Sequence, residues 1–343
     1  EEGKLPFPIV GMSDEMPYRS TRYCDMTPKM TAQFEEAFLE SITQAVREFG
    51  PDLILCHHLY LLTAVVRKHF PEYRVYGFCH NTDLRQMCKT DLEREFIREQ
   101  IRKLDRIFVP QKAQREGVLA VYQAKPEKIE AVGMGYNSQI FHGGEEKKDD
   151  GVTRIVFAGK IAEKKGVMSL IRSLSVLYSQ KGACVRDELL VQLAGSAGNQ
   201  EEYGQIRQMA EECPYEVRFL GRLSQPELAR VYREGDIFVL PSFFDGLPLT
   251  VIEALACRMR VVMSDLPGIR EWLLASAPGG DVRFVEMPQM QNTDEPVPET
   301  LPAFEERLAD ALLASIRTKE QKAADVSRIS WVGIAAQVLT EFP

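Results

Sequence analysis

The sequence predicts an α/β protein with two domains, each a parallel sheet covered by helices on both faces. Three observations predict it. Short, continuous apolar runs rich in β-branched residues alternate with amphipathic helical stretches, the pattern of parallel strands buried on both sides. The alternation occurs twice, separated by the charged stretch "GGEEKKDDG" (143–151). The length of 343 residues suits about two domains at roughly 150 residues each, and an apolar fraction of 45% is enough to fill two cores. Two Rossmann-like domains are therefore expected, over 1–146 and 151–325, with a terminal helical segment over 326–343.

The first series opens with a helical stretch, "TAQFEEAFLESITQAVREFG" (31–50), and then the strand "DLILC" (52–56). "RVYGFC" (74–79), "RIFVP" (106–110) and "IEAVGMG" (129–135) follow as strands with helices between them. No strand with a Gly-rich turn precedes "DLILC", and the two prolines of "LPFPIVG" make it a poor central strand. The first domain is thus expected to lack its opening βαβ unit. The second series reads as strands at "RIVFAG" (154–159), "ELLVQLAG" (188–195), "VRFLG" (217–221), "DIFVLP" (236–241) and "RVVMSD" (260–265). "EMPQMQNTDEPVPETLPAF" (286–304), rich in Pro and polar residues, reads as an exposed loop, and two or three helices end the chain, the last containing Trp331.

Composition excludes several classes of function. Net charge is −8 with no basic excess in either half, so a nucleic-acid partner has no electrostatic support. No apolar run approaches the ~20 residues of a membrane span. The N-terminal residues lack the basic-then-apolar layout of a signal peptide. Seven cysteines (24, 56, 79, 88, 184, 213 and 257), odd in number and without a CxxC pair, read as reduced thiols of a cytoplasmic protein. Five scattered histidines and no Cys/His cluster argue against a structural metal site.

The most informative stretch is "FFDGLPLTVIEALACRMRVVMSDLPG" (243–268). It reads as a loop that leaves a strand and enters a helix. Pro248 suits the first helical turn, Gly246 permits close backbone approach, and Val251, Ile252, Leu255 and Ala256 keep helical spacing. The N–H groups of Gly246, Leu247, Leu249 and Thr250 then point out of the carboxyl end of a parallel strand, where open α/β sheets bind ligands and helix N-termini attract phosphate. Asp245 and Glu253 flank this turn. Eight helical residues rise about 12 Å. That is too far for the ~5 Å carboxylate pair of a retaining glycosidase, while the ~6.5–9.5 Å pair of an inverting one stays open. The spacing fits two ends of one elongated ligand: hydroxyls at either tip, phosphates on the N–H groups between. A strand–loop–helix with an acid on each side also occurs in α/β proteins at large.

"DGLPLTVIEALA" followed by "RVVMSDLPGIREWL" resembles the E-x7-E region of retaining GT-B glycosyltransferases of family four, the group that includes sucrose and sucrose-phosphate synthases. Asp245 stands where the first Glu is usual, and Glu253 is the second. The resemblance runs from about residue 50 to the C-terminus. It implies a nucleotide-sugar donor, a UDP-linked one, and no metal or other cofactor.

Further motifs appear in the family's order. "FAGKIAEKKG" (157–166) is similar to its G-R-x4-K-G motif, which places Gly159 at the nucleotide sugar and Lys160 and Lys165 on the diphosphate. Two cations at that strand end would stabilise a departing diphosphate, although "EKK" also suits a solvated helix start, and lysine lacks arginine's bidentate geometry. "GFCHNTDLRQ" (77–86) resembles the His-Gly-Thr-Asp segment, in which His80 faces the donor sugar and Asp83 and Arg85 order the loop or touch the acceptor. "VRFLGRLSQPELARVY" (217–232) resembles the nucleobase segment through Gly221, Arg222 and Leu223, and also reads as a turn with a Ser224/Glu227 capping box. "AGSAGN" (194–199) is a Gly turn at another strand end that lines the pocket or merely turns the chain. His57 and His58 in "CHHLYLL" line the acceptor pocket or cap the next helix. "GMGYNSQIF" (133–141), with Asn137 in the place of Asp, resembles a structural interdomain turn, and "SRISWVGIAAQVLTEF" the helix that crosses back to the first domain.

The function implied is retaining transfer of a sugar from a nucleotide-diphosphate sugar to a hydroxyl acceptor, with Lys160, Lys165, Asp245 and His80 as catalytic residues. Gly159, Gly221, Leu223, Gly246, Leu247, Leu249, Thr250 and Glu253 would bind the donor; His58, Asp83 and Arg85 would face the acceptor. Two alternatives stand beside it: a split or non-catalytic nucleotide-sugar-binding subunit, and an epimerase or phosphorylase on the same scaffold. Family members carry roughly 50–80 further residues ahead of this point, so an N-terminal portion is expected from the same chain or another. A homo-oligomer is compatible with the sequence.

Overall fold

The computed structural model describes residues 5–13, 16, 18–144, 150–180, 189–292, 294–318 and 323–340. Cys184, most of the predicted 143–151 break and the last residues of the predicted final helix lie outside them. The chain forms two compact units, one running through Gly133, the other spanning Met134–Leu339.

In the first unit, α1 (Pro28–Phe49) starts where Thr27 accepts a hydrogen bond from the Met30 N–H and Pro28 occupies the first turn; it stops at Gly50, whose φ is 61°. Then come β1 (Leu53–His57), α2 (Leu61–His69), β2 (Arg74–Phe78), α3 (Thr82–Lys89), α4 (Arg94–Arg102), β3 (Arg106–Val109), α5 (Lys112–Tyr122) and β4 (Ile129–Ala131). The four strands pair in parallel in the order β1-β2-β3-β4. Each crossover steps in one direction, so β1 is an edge, and Leu55 on it is 48% exposed. Ahead of α1 the described residues contribute a bridge between Val10 and Thr21 and a 3-10 turn at Tyr23–Asp25 but no strand, as the prolines of 6 and 8 suggest.

The second unit contains β5 (Thr153–Ala158), α6 (Val167–Gln180), β6 (Leu189–Ala194), α7 (Gln200–Glu211), β7 (Glu216–Gly221), α8 (Gln225–Glu234), β8 (Ile237–Leu240), α9 (Leu249–Ala256), β9 (Arg260–Ser264), α10 (Ile269–Ser276), β10 (Val282–Val285), α11 (Leu301–Arg317) and α12 (Trp331–Leu339). Its parallel sheet has the order β10-β9-β8-β5-β6-β7. The chain starts in the middle at β5, winds outward through β6 and β7, then returns to the other side of β5 for β8, β9 and β10. The order reverses between β5 and β8, and ligands of open α/β sheets bind at the carboxyl ends of such a pair. Ile155, Val156 and Phe157 of β5 and all four residues of β8 are buried, as doubly covered strands require.

Three sequence expectations change. β10 is a sixth strand that the reading of the second series omits; it is short, half-buried and interrupted by Arg283, so it lacks the apolar continuity of the others. Residues 286–304 are more ordered than an exposed loop: Met290 and Pro296 form an antiparallel bridge, and Leu301 already starts α11. Pro248 sits at the N-cap of α9 rather than inside its first turn. Near the chain end, Trp331 lies against Gly135, where an added Cβ would come within 2.4 Å of the indole. The Tyr136 N–H donates to Ile329 O (3.2 Å) and the Trp331 N–H to Tyr136 O (3.0 Å), which ties the start of α12 to the Gly135–Asn137 turn.

Candidate active site

The loops leaving β5 and β8 meet at the switch point. Gly166 makes this possible: its φ is +70°, and a Cβ there would sit 2.0 Å from Pro241 O, so only glycine lets the two loops touch. The Phe243 N–H donates to Lys164 O (3.0 Å) alongside it. This contact delivers Lys165 to Asp245. Lys165 Nζ donates to Asp245 Oδ2 at 2.7 Å and to Phe244 O at 3.2 Å, with the two side chains 27% and 23% exposed. The structure therefore joins a predicted diphosphate cation and a predicted sugar-binding acid in one ion pair. Phe244, next to them, is an exposed aromatic ring.

Lys160 lies farther along the same sheet edge. It is exposed, and its aliphatic chain crosses Gly198, where a Cβ would fall 1.8 Å from Lys160 Cε. Gly159 and Gly221 are backbone joints of this edge: the Gly159 N–H donates to Ala194 O (3.0 Å), and Gly221 O accepts from the Gly195 N–H (2.8 Å). Leu223 packs half-buried against the core, and the Ser224/Glu227 capping box is present at the start of α8.

The turn into α9 differs in detail from the expectation of four open N–H groups. Gly246 donates to Asp245 Oδ1 (3.1 Å) and Leu249 to Leu247 O (2.9 Å). Among the described residues, the N–H groups of Leu247 and Thr250 have no recorded acceptor and remain available to an anion at the helix start. Val251, Ile252, Ala254 and Leu255 bury the other face of the helix.

Glu253 is the most unusual group of the unit. It is only 9% exposed, yet its carboxyl has no hydrogen-bond or ion-pair partner among the described residues. Burial alone pushes its pKa up to about 7. Tyr232 is fully buried nearby with its hydroxyl unpartnered, its pKa raised first by burial and then by Glu253. A buried acid without a partner is costly in an empty protein and is reason to look for a ligand that supplies hydroxyl donors.

In the first unit, the turns after β1 and β2 hold a second constellation. Asp83 is fully buried and accepts hydrogen bonds from the N–H groups of Leu59 (2.8 Å), His80 (3.1 Å) and Leu84 (3.0 Å), with the Cys79 thiol at 3.4 Å. Of the two roles read for it, this geometry is that of ordering the loop. His58 and Asn81 take left-handed φ values of 68° and 66° in these turns. Arg85 is exposed on α3.

Three of the five histidines, His57, His58 and His80, come together in space. His57 Nδ1 and His80 Nε2 lie 2.9 Å apart, and the His58 and His80 rings are 4.5 Å apart between centroids. Burial, reinforced by the neighbouring imidazoles, lowers the pKa of His80; burial first and His57 third lower that of His58, with Asp83 opposing in both. Sequence reading missed the pairing. The signal lay in the register, for His57 stands opposite Phe78 in parallel strands and His80 follows two residues later. Among the described residues no group of three or more His, Cys, Asp or Glu side chains is arranged to hold a metal ion, and no helix is long and apolar enough to cross a membrane.

The profile of Glycosyltransferase Family 4 matches residues 18–139, and that of Glycosyl transferases group 1 matches residues 139–279. The chain belongs to this glycosyltransferase family. Its group 1 segment contains the Lys165–Asp245 pair and Glu253, and its family 4 segment the histidine cluster.

Among relatives, the D-inositol 3-phosphate glycosyltransferase of Corynebacterium glutamicum is 24% identical over 227 residues, 63% of this chain and 51% of that protein. The alpha-maltose-1-phosphate synthase of Mycolicibacterium smegmatis is 24% identical over 265 residues, 71% and 64% of the two chains. The group 1 chain thus spans about half to two thirds of the length of these curated relatives. Its fold is that of the GT-B glycosyltransferases. A glycosyltransferase structure from Rickettsia africae superposes with a TM-score of 0.63 at 12% identity, covering 94% of this chain and 83% of the other. Sucrose-phosphate synthase from Thermosynechococcus elongatus gives 0.53 at 18% identity, with 91% and 77% covered.

Proposed function

We propose that this family member transfers a sugar from a nucleotide-diphosphate sugar, best a UDP-linked one, to a hydroxyl acceptor with retention at the anomeric carbon. The observation that carries the reading is the buried, unpartnered Glu253 eight residues after the Lys165-paired Asp245, on either side of a helix start at a topological switch point. Glu253 accepts hydrogen bonds from the ribose hydroxyls. Gly221 and Leu223 lie along the base. Lys160, Lys165 and the N–H groups of Leu247 and Thr250 take the diphosphate. Asp245 and Gly246 hold the transferred sugar, and in the first unit His80 meets a sugar hydroxyl.

In the reaction the bond from the anomeric carbon to the diphosphate oxygen breaks, and its electron pair leaves with the nucleotide. The lysines stabilise that developing charge. The acceptor oxygen bonds to the same face of the anomeric carbon, and its proton passes to the departing phosphate oxygen. No protein nucleophile takes part.

The test is incubation with a panel of nucleotide sugars and hydroxyl acceptors, with the product anomer read by NMR. Transfer with retained configuration supports the reading. Inverted product, or a folded protein that binds no nucleotide, contradicts it. Nucleotide binding with turnover only after a second polypeptide is added favours the split-subunit alternative.

A further inference from the structure

We infer that His57 is a positioning residue: its Nδ1 holds the His80 imidazole in a single tautomer and leaves His80 Nδ1 as the atom that meets a sugar hydroxyl. The inference rests on the role given above to His80 and assigns a role to His57 beyond lining a pocket or capping a helix.

The chain places the two rings by strand register. His57 closes β1, Phe78 closes β2 opposite it, and the parallel strands release both following turns side by side. His57 is fixed in plane by Phe78, with centroids 4.9 Å apart and an interplanar angle of 18°. Its Nδ1 then meets His80 Nε2 at 2.9 Å. His80 is fixed from its other side as well. Its backbone N–H is held by the buried Asp83 carboxylate, and the His58 ring lies 4.5 Å away, with His58 Nδ1 at 3.4 Å from Thr82 Oγ1.

A neutral imidazole has one N–H and one lone pair. A hydrogen bond between two neutral rings therefore ties their tautomers together: if His57 Nδ1–H donates, His80 carries its proton on Nδ1, and if His80 Nε2–H donates, His80 Nδ1 is the acceptor. Burial favours the neutral form of His80, so the question there is one of tautomer. The titratable groups acting on His80 besides His57 are the His58 imidazole and the Asp83 carboxylate. With His80 Nε2 engaged by His57, only Nδ1 remains for a ligand. Without His57 the ring can exchange tautomers and swing, and the polarity it offers to a sugar hydroxyl is no longer defined.

The test combines ¹⁵N-resolved NMR of the histidine rings with steady-state kinetics on wild type, His57→Ala and His57→Asn. The Asn amide reaches the same place as Nδ1. In wild type, His80 is expected as one tautomer; His57→Ala gives a mixture and lowers kcat about tenfold with donor KM and UDP affinity within about twofold; His57→Asn restores a single tautomer and most of kcat. An unchanged His80 spectrum in His57→Ala overturns the inference, as does an Asn variant no better than Ala in both readouts. If wild type transfers no sugar from any donor, the reading of the function fails, while the tautomer measurement still decides whether His57 governs His80.

Discussion

Glu253 makes nucleotide binding pH-dependent in a direction that can be worked out. Its carboxyl is raised by burial from 4.5 to about 7 in the ligand-free protein. Ribose hydroxyls donate hydrogen bonds, so they select the ionised carboxylate, and binding releases a proton when it starts from the protonated form. The apparent dissociation constant is the intrinsic one multiplied by one plus the ratio of proton concentration to the acid constant. For a pKa near 7 the factor is about 1.1 at pH 8 and about 11 at pH 6. UDP affinity is therefore expected to fall about tenfold across that interval, roughly 1.4 kcal/mol. Isothermal titration at pH 6, 7 and 8 in buffers of different ionisation enthalpy reads both affinity and proton release.

Glu253→Gln should flatten the profile, and Glu253→Ala should cost about 2 kcal/mol at pH 8, roughly thirtyfold, as the loss of hydrogen bonds to a charged group. The same burial has a stability consequence. The folded pKa lies above the unfolded one, so this group's relative contribution is fully present below about pH 4.5 and is lost as pH rises through about 7. The displacement corresponds to about 3 kcal/mol, so Glu253→Gln should raise Tm at pH 8 and leave it nearly unchanged at pH 4.5. A UDP affinity independent of pH in wild type, or an equally steep profile in Glu253→Gln, would refute the reasoning.

The Lys165–Asp245 pair acts as one unit, so Lys165→Ala and Asp245→Ala should each lower kcat, and the double variant should lose little more than the worse single one; full additivity in the kinetic cycle would separate the two roles. Gly166→Ala should destabilise the protein by about 2 kcal/mol or more in denaturant unfolding, because the new methyl meets Pro241 O in a left-handed backbone. Lys160→Arg should tighten UDP severalfold and leave uridine unchanged in direct titration, since a guanidinium fork grips phosphate where an ammonium does not.

Much of the second unit is legible in sequence because its central strands are continuous apolar runs that no other element explains. β5 and β8 show it best: their burial, parallel pairing and following loops all agree with "RIVFAG" and "DIFVLP". β10 was hidden because an edge strand four residues long with an arginine in it carries almost no periodic signal. The site was legible as a set of residue types but not as a set of contacts. Lys165 and Asp245 are 80 positions apart, and their meeting depends on how closely Gly166 lets two loops approach. The same limit applies to His57 and His80, whose pairing follows from strand register rather than from spacing along the chain. Asp83, read as either ordering the loop or touching the acceptor, shows its engagement with three backbone N–H groups only once those turns are folded.

The most direct test of the donor cradle compares UDP with uridine by titration calorimetry at pH 8, on wild type and Glu253→Ala. UDP should bind wild type at least tenfold more tightly than uridine, and Glu253→Ala should weaken both. Equal affinity for the two ligands, or UDP binding untouched by loss of the carboxylate, would contradict a diphosphate lying along the α9 start with its ribose on Glu253.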